Sequence, residues 1–87
     1  MEMRDLVLDG NAIGGLMQEL FGADLTAAPC VCAGCGARDE LARLDVYVHA
    51  PGVVVRCHHC ESVMIRIVRG PTRTWIDLSG TNALELG

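Results

Sequence analysis

Two short cysteine pairs are the residues of this chain best suited to chemistry: Cys32-Ala33-Gly34-Cys35 and Cys57-His58-His59-Cys60, with 21 residues between them. A tetrahedral zinc ion takes four thiolates at about 2.3 Å, and each C-x2-C turn delivers two of them from one tight loop. The spacing is close to the pattern of two C-x2-C pairs that marks structural zinc sites. Cys32, Cys35, Cys57 and Cys60 are therefore the expected ligands of one Zn²⁺. Gly34 and Gly36 suit a metal-binding turn, which needs backbone freedom and amides directed at sulfur. The second pair has no glycine. Four buried thiols without a metal are the alternative reading of the same spacing.

Three neighbouring groups compete for a role. Cys30 lies two residues before Cys32 and could replace it as a ligand. His58 and His59 sit between two ligands, where side chains usually point outward, so they read as exposed imidazoles. His49, at a strand end, reads as a surface residue. A catalytic zinc keeps one position open for water. Four cysteines close the shell, so no enzymatic activity is expected. A thioredoxin-like redox site uses one C-x2-C motif beside a βαβ unit, and two motifs bracketing a β-hairpin do not fit it. Thiol redox or metal buffering, with Cys30 as the conceivable reactive thiol, is the least favoured alternative. No phosphate loop, paired-carboxylate site or Ser/His/Asp arrangement is recognisable.

The elements that must position these cysteines are few. At 87 residues the chain reads as one small domain, 1–87. Chains of this size often add a metal to a modest core. Its 51% hydrophobic content includes only one Phe, one Trp and one Tyr, so aliphatic side chains must build that core. Residues 9–25 read as a helix, with Asp9 or Asn11 as N-cap and Gly22 as the stop. Ala12, Ile13, Leu16, Met17, Leu20 and Phe21 recur at helical spacing as one apolar face, either core or a docking surface. Residues 30–80 read as a zinc ribbon. Leu44, Val46 and Val48 alternate with polar residues, a half-buried strand. Pro51-Gly52 suits a type II turn. Val53 to Cys57, Val63 to Arg69 and Thr74 to Leu78 follow as further strands, and Ala83, Leu84 and Leu86 read as a last short turn. The expected fold is α+β, an N-terminal helix plus an antiparallel sheet of three to four strands. Hairpin pairing would put Leu44, Val46, Val48, Val53, Val55, Val63, Ile65, Ile67, Ile76 and Leu78 on one face, under the helix. Tyr47, Val54, Arg56, Met64, Arg66, Val68 and Trp75 would share the other.

The formal charge is -4, and four thiolates around one Zn²⁺ would bring it to about -6. That balance opposes non-specific binding to phosphate. Locally the picture differs, because Arg56, Arg66, Arg69 and Arg73 cluster, with Glu61 the only acid between Arg56 and Ile76. An Arg-flanked Trp75 can stack on a nucleobase or a protein partner, or it can be an ordinary solvated sheet face. All seven basic residues are Arg, a bias that points to a GC-rich bacterium. The charged start, Met1-Glu2-Met3-Arg4-Asp5, is unlike a signal peptide, and no apolar run approaches membrane-spanning length. A cytoplasmic protein with reduced thiols and no membrane role is expected.

The chain resembles a family of small actinobacterial proteins known only as a domain of unknown function. The resemblance rests on Leu8-Asp9-Gly10-Asn11-Ala12, on Phe21 to Thr26 and on Cys32-Ala33-Gly34-Cys35-Gly36. It continues through Tyr47, Pro51-Gly52, Val55-Arg56-Cys57, Cys60 and Trp75-Ile76-Asp77-Leu78, nearly the whole chain. The resemblance implies a zinc ribbon preceded by a helix, with Cys32, Cys35, Cys57 and Cys60 as ligands and no catalytic residue. His58, where the family more usually has proline, and Cys30 depart from the pattern. The expected function is a zinc-ribbon adaptor that binds another protein or a second copy of itself. A nucleic-acid-binding ribbon using Arg56, Arg66 and Trp75 is the runner-up.

Overall fold

The computed structural model describes residues 7–49 and 52–86. Strand β1 (Val7–Asp9) leads into a 3-10 turn (Gly10–Ile13) and helix α1 (Gly14–Phe21). Asp9 is the cap, its carboxylate accepting a hydrogen bond from the Asn11 amide at 3.0 Å. Gly22 ends the helix in the left-handed region, φ 72°, with its amide on the Gln18 carbonyl. The element expected over 9–25 is thus a 3-10 turn plus a two-turn helix. The shortening follows from Gly14 and Gly15, poor helix formers at the point where the two geometries meet.

Strands β2 (Pro29–Cys32) and β3 (Arg38–Glu40), a second 3-10 turn (Leu41–Arg43), and strands β4 (Asp45–His49), β5 (Gly52–Arg56), β6 (Val63–Arg69), β7 (Thr74–Asp77) and β8 (Thr81–Leu84) complete the described chain. All pairings are antiparallel. They form two sheets, β1-β4-β5-β6-β7 and β3-β2-β8, where one of three to four strands was expected. The four segments read as strands from Leu44 to Leu78 form β4, β5, β6 and β7. The other four are too short, or too poor in β-branched residues, to declare themselves. Pro29 illustrates the difficulty: proline is rare inside strands, yet here it opens β2, a strand's first residue being a place where the missing amide is tolerated. The Ala50-Pro51 part of the expected turn lies outside the described residues.

The register sorts the faces of the large sheet. Val46 faces Val55, Val55 faces Ile65, and Val53 faces Ile67, which faces Ile76. Val46, Val55, Ile65 and Ile67 are all fully buried. On the opposite face Tyr47, Val54, Arg66 and Asp77 form one row, and Val68 faces Trp75. A β-bulge between Val55 and Arg56 shifts the register so that Arg56 meets Val63. The bulge explains one displaced side chain: Met64, expected with the arginines, is 1% exposed and belongs to the core. Val48 and Leu78, expected under the helix, are exposed near the rim.

Ile13 and Met17 of the N-terminal elements join Leu25, Leu41, Leu44 and the inward sheet residues in one core. Leu16, Leu20 and Phe21 pack against it, half-buried. The apolar face of α1 is therefore turned into the protein, in keeping with the core reading of that face. Burial of such side chains contributes roughly 1.5–3 kcal/mol each.

Candidate metal centre

Each cysteine pair occupies the turn of a hairpin, and the two hairpins belong to different sheets. Cys32 ends β2, and the chain turns through Cys35 into β3. Cys57 follows β5, and the chain turns through Cys60 into β6. The hairpin β4–β5 lies between the pairs in sequence, as expected, but the cysteines sit on the turns to either side of it.

The two turns repeat one hydrogen-bond pattern. The Gly36 amide donates to the Cys32 carbonyl and the Cys32 amide to the Ala37 carbonyl. In the second turn, Glu61 donates to Cys57 and Cys57 to Ser62. All four bonds are 2.9 Å. The Gly34 amide points at Cys32 Sγ (3.2 Å) and the His59 amide at Cys57 Sγ (3.4 Å). Gly36 has φ 77°, a region glycine enters without steric cost. Glu61 holds the matching position at φ 64°. This shared backbone explains how the second pair forms without a glycine.

The four sulfurs lie within 4.8 Å of one another. Cys32 Sγ is 3.6 Å from Cys60 Sγ, and Cys35 Sγ is 3.7 Å from Cys57 Sγ, so the close contacts run between turns. Bonds of 2.3 Å at tetrahedral angles give sulfur–sulfur edges of about 3.8 Å. The cluster is geometrically compatible with a coordinated metal ion. Cys32 and Cys57 are buried, whereas Cys35 and Cys60 are exposed. Ser62 Oγ stands 3.1 Å from Cys60 Sγ. Hydrogen bonding by the Ser62 side chain and amide pulls the Cys60 thiol down to about 6. At Cys35 the Ala37 amide lowers the value, but desolvation and the three neighbouring thiols outweigh it and push the group up to about 12.

Cys30 is not among the clustered sulfurs. It is fully buried in β2, its Sγ 3.6 Å from the Ala28 carbonyl, and burial pushes its thiol up to about 11. His58 and His59 are exposed, as expected, but each also meets a carboxylate. His58 Nδ1 lies 3.0 Å from Asp45 Oδ1 and His59 Nε2 lies 2.5 Å from Asp39 Oδ2. Sequence reasoning missed both partners, because the pairings join turns and strands far apart in the chain. The side chain of His49 lies outside the described residues.

The arginine cluster divides. The guanidinium of Arg56 lies over the Tyr47 ring, 5.6 Å from its centroid, and donates to the Glu61 carbonyl at 2.9 Å. Arg66 faces Asp77 across the strands. Arg69 instead pairs with Glu19 of α1 at 2.9 Å, on the helix side of the sheet. Trp75 is 54% exposed. Among the described residues, no helix is long and apolar enough to cross a membrane.

With this geometry in place, comparison with known proteins supplies a class. A model for a family of unknown function (DUF6510) matches residues 2–87, and the chain belongs to that family. No curated protein and no solved structure matches the chain.

Proposed function

We propose that this protein is a non-catalytic zinc-binding module, a single domain over 1–87 of zinc-ribbon type, that serves protein–protein interaction. The observation that carries the metal assignment is the gathering of four sulfurs from two hairpin turns within 4.8 Å. Tetrahedral all-sulfur sites suit zinc or iron. The zinc reading follows from a closed shell held by two matched turns, with no further ligand in the cluster. Bound there, zinc supplies a cross-link between the two sheets. The residues' own part is to hold four thiolates: Gly34 and His59 amides donate to the buried pair, and Ser62 supports Cys60. The exposed thiols fit a reducing, cytoplasmic setting.

Metal analysis of Cys35→Ser tests the assignment. Zinc binding in small domains is largely folding free energy, so the variant should lose metal and NMR dispersion together. One retained equivalent of zinc with a dispersed spectrum overturns it. A cross-linking pull-down from the native host tests the interaction role.

One observation favours nucleic-acid binding as a second reading: Trp75 stands exposed on a face that also carries Arg66. Against it, Arg56 is held by Tyr47 and Glu61, and Arg66 has Asp77 opposite. Single-stranded DNA should leave Trp75 fluorescence unchanged at moderate salt. Quenching that weakens steeply as salt rises reverses the ranking.

A further inference from the structure

We infer that the outer face of the five-stranded sheet is a self-association surface whose occupant is a second copy of this chain. The inference deepens the interaction reading and rests on it.

The face combines three properties. It presents neighbouring apolar side chains, since Trp75 (54% exposed) and Val68 (38% exposed) are direct cross-strand partners. Beside that apolar pair its charges cancel, since Arg66 faces Asp77. On a chain of net charge -4, this neutral region is where two like-charged copies approach with least repulsion over the screening length of about 8–10 Å. An anionic partner would find no surplus of positive charge there.

The third property is self-complementarity. Val68 and Arg66 lie on β6, with Trp75 and Asp77 opposite them on β7. A two-fold axis running along the strands between β6 and β7 exchanges the two strands when a second sheet is stacked on the first. It lays Trp75 of each copy on Val68 of the other, and brings Arg66 against Asp77. Residue i meets j and j meets i, as an isologous interface requires. Both the apolar and the charged rows are satisfied by the same operation.

The area sets the strength. Strands spaced about 4.8 Å apart with a rise of about 3.3 Å per residue give a patch well below the roughly 800 Å² per partner of a stable complex. The association is therefore weak and reversible, becoming populated only in concentrated solution.

Sedimentation velocity on zinc-loaded protein, its metal content verified, tests this over a range of concentrations, with fluorescence of the single tryptophan followed in parallel. The expected result is a concentration-dependent monomer–dimer shift accompanied by a blue shift of Trp75 emission. Trp75→Glu, at an exposed position that does not build the core, should lower the association constant by about tenfold or more, as loss of a central aromatic anchor does. Arg66→Asp should also weaken it, and adding Asp77→Arg should restore part of the loss. A monomer at every concentration overturns the inference, as does a dimer unaffected by Trp75→Glu. Both results leave the zinc assignment standing on its own metal analysis, and the broader interaction role on the pull-down.

Discussion

His59 reaches from the second cysteine turn to Asp39 on β3, and so ties the turn carried by the large sheet to the sheet that carries the first turn. The contact runs parallel to the proposed metal cross-link. His58, one residue earlier, holds Asp45 of β4 within its own sheet. The two imidazoles thus tie the second turn to both sheets.

Removal of that tie should be mild. Both side chains are partly exposed, and such pairs contribute about 0.2–1 kcal/mol. His59→Ala is expected to keep one equivalent of zinc and lower stability by less than about 1 kcal/mol. Denaturant unfolding with metal analysis on the same sample checks both. Loss of the metal would show the imidazole to be part of the binding site.

Cys30→Ala separates the fifth cysteine from the other four. Zinc stoichiometry should be unchanged, because Cys30 lies outside the sulfur cluster. The deletion of one buried heavy atom should cost about 0.5–1.5 kcal/mol, the scale of Ile→Val. Metal content by mass spectrometry and a thermal melt decide the matter. A drop to sub-stoichiometric zinc would make Cys30 a ligand.

Gly80→Ala and Gly15→Ala should differ in sign. A Cβ at Gly80 would stand 1.9 Å from the Val63 carbonyl oxygen and 2.8 Å from Met64 Cα, both backbone atoms. Backbone must shift, at a cost of at least about 2 kcal/mol, within the range of overpacking. Gly15 lies in α1 with nothing within 4 Å of the added Cβ. Its replacement should stabilise by about 0.4–1 kcal/mol. Unfolding midpoints of the two variants against wild type make the comparison.

Asp77 supplies an acid-sensitive contribution. Hydrogen bonds from the Ser79 side chain and amide, and the charge of Arg66, hold its carboxyl below the ordinary value of 3.8. A folded-state value below the unfolded one stabilises above about pH 3.8 and loses that contribution as pH falls through the folded value. Asp24, held down by the Thr26 amide and hydroxyl, behaves the same way. Asp77→Asn should therefore be less stable than wild type near neutrality, with the gap closing as pH falls below 3.8. Paired denaturation curves across that range measure the gap. A gap that does not depend on pH would mean the carboxylate's charge contributes nothing.

The four clustered cysteines are legible in sequence because each pair is a local feature, complete within one turn. The strand over 45–49 is legible because its alternation reports a buried face directly, and those over 52–56, 63–69 and 74–77 because they are rich in β-branched and aromatic residues. β2 and β8 are not: Pro29-Cys30-Val31-Cys32 and Thr81-Asn82-Ala83-Leu84 carry no such alternation of branched residues, and are strands because they pair with each other. Tertiary context decides them. Met64 shows a further limit, since a one-residue bulge moves a side chain to a different environment without changing composition. The acidic partners of His58 and His59 depend on the same long-range assembly.

The pairing of β2 with β8, Cys30 opposite Leu84, bears on the order in which the molecule is made. Each cysteine turn closes within six residues and belongs to a hairpin, an event of about 1–10 μs. β8 follows every other described strand in sequence, and closing it onto β2 carries a larger loop entropy. Pulse-labelled hydrogen exchange during refolding should find the β8 amides protected after those of β5 and β6. Each half of the proposed metal grip then forms as its own hairpin before the smaller sheet is finished, and the joining of the halves is left to the docking of the two sheets.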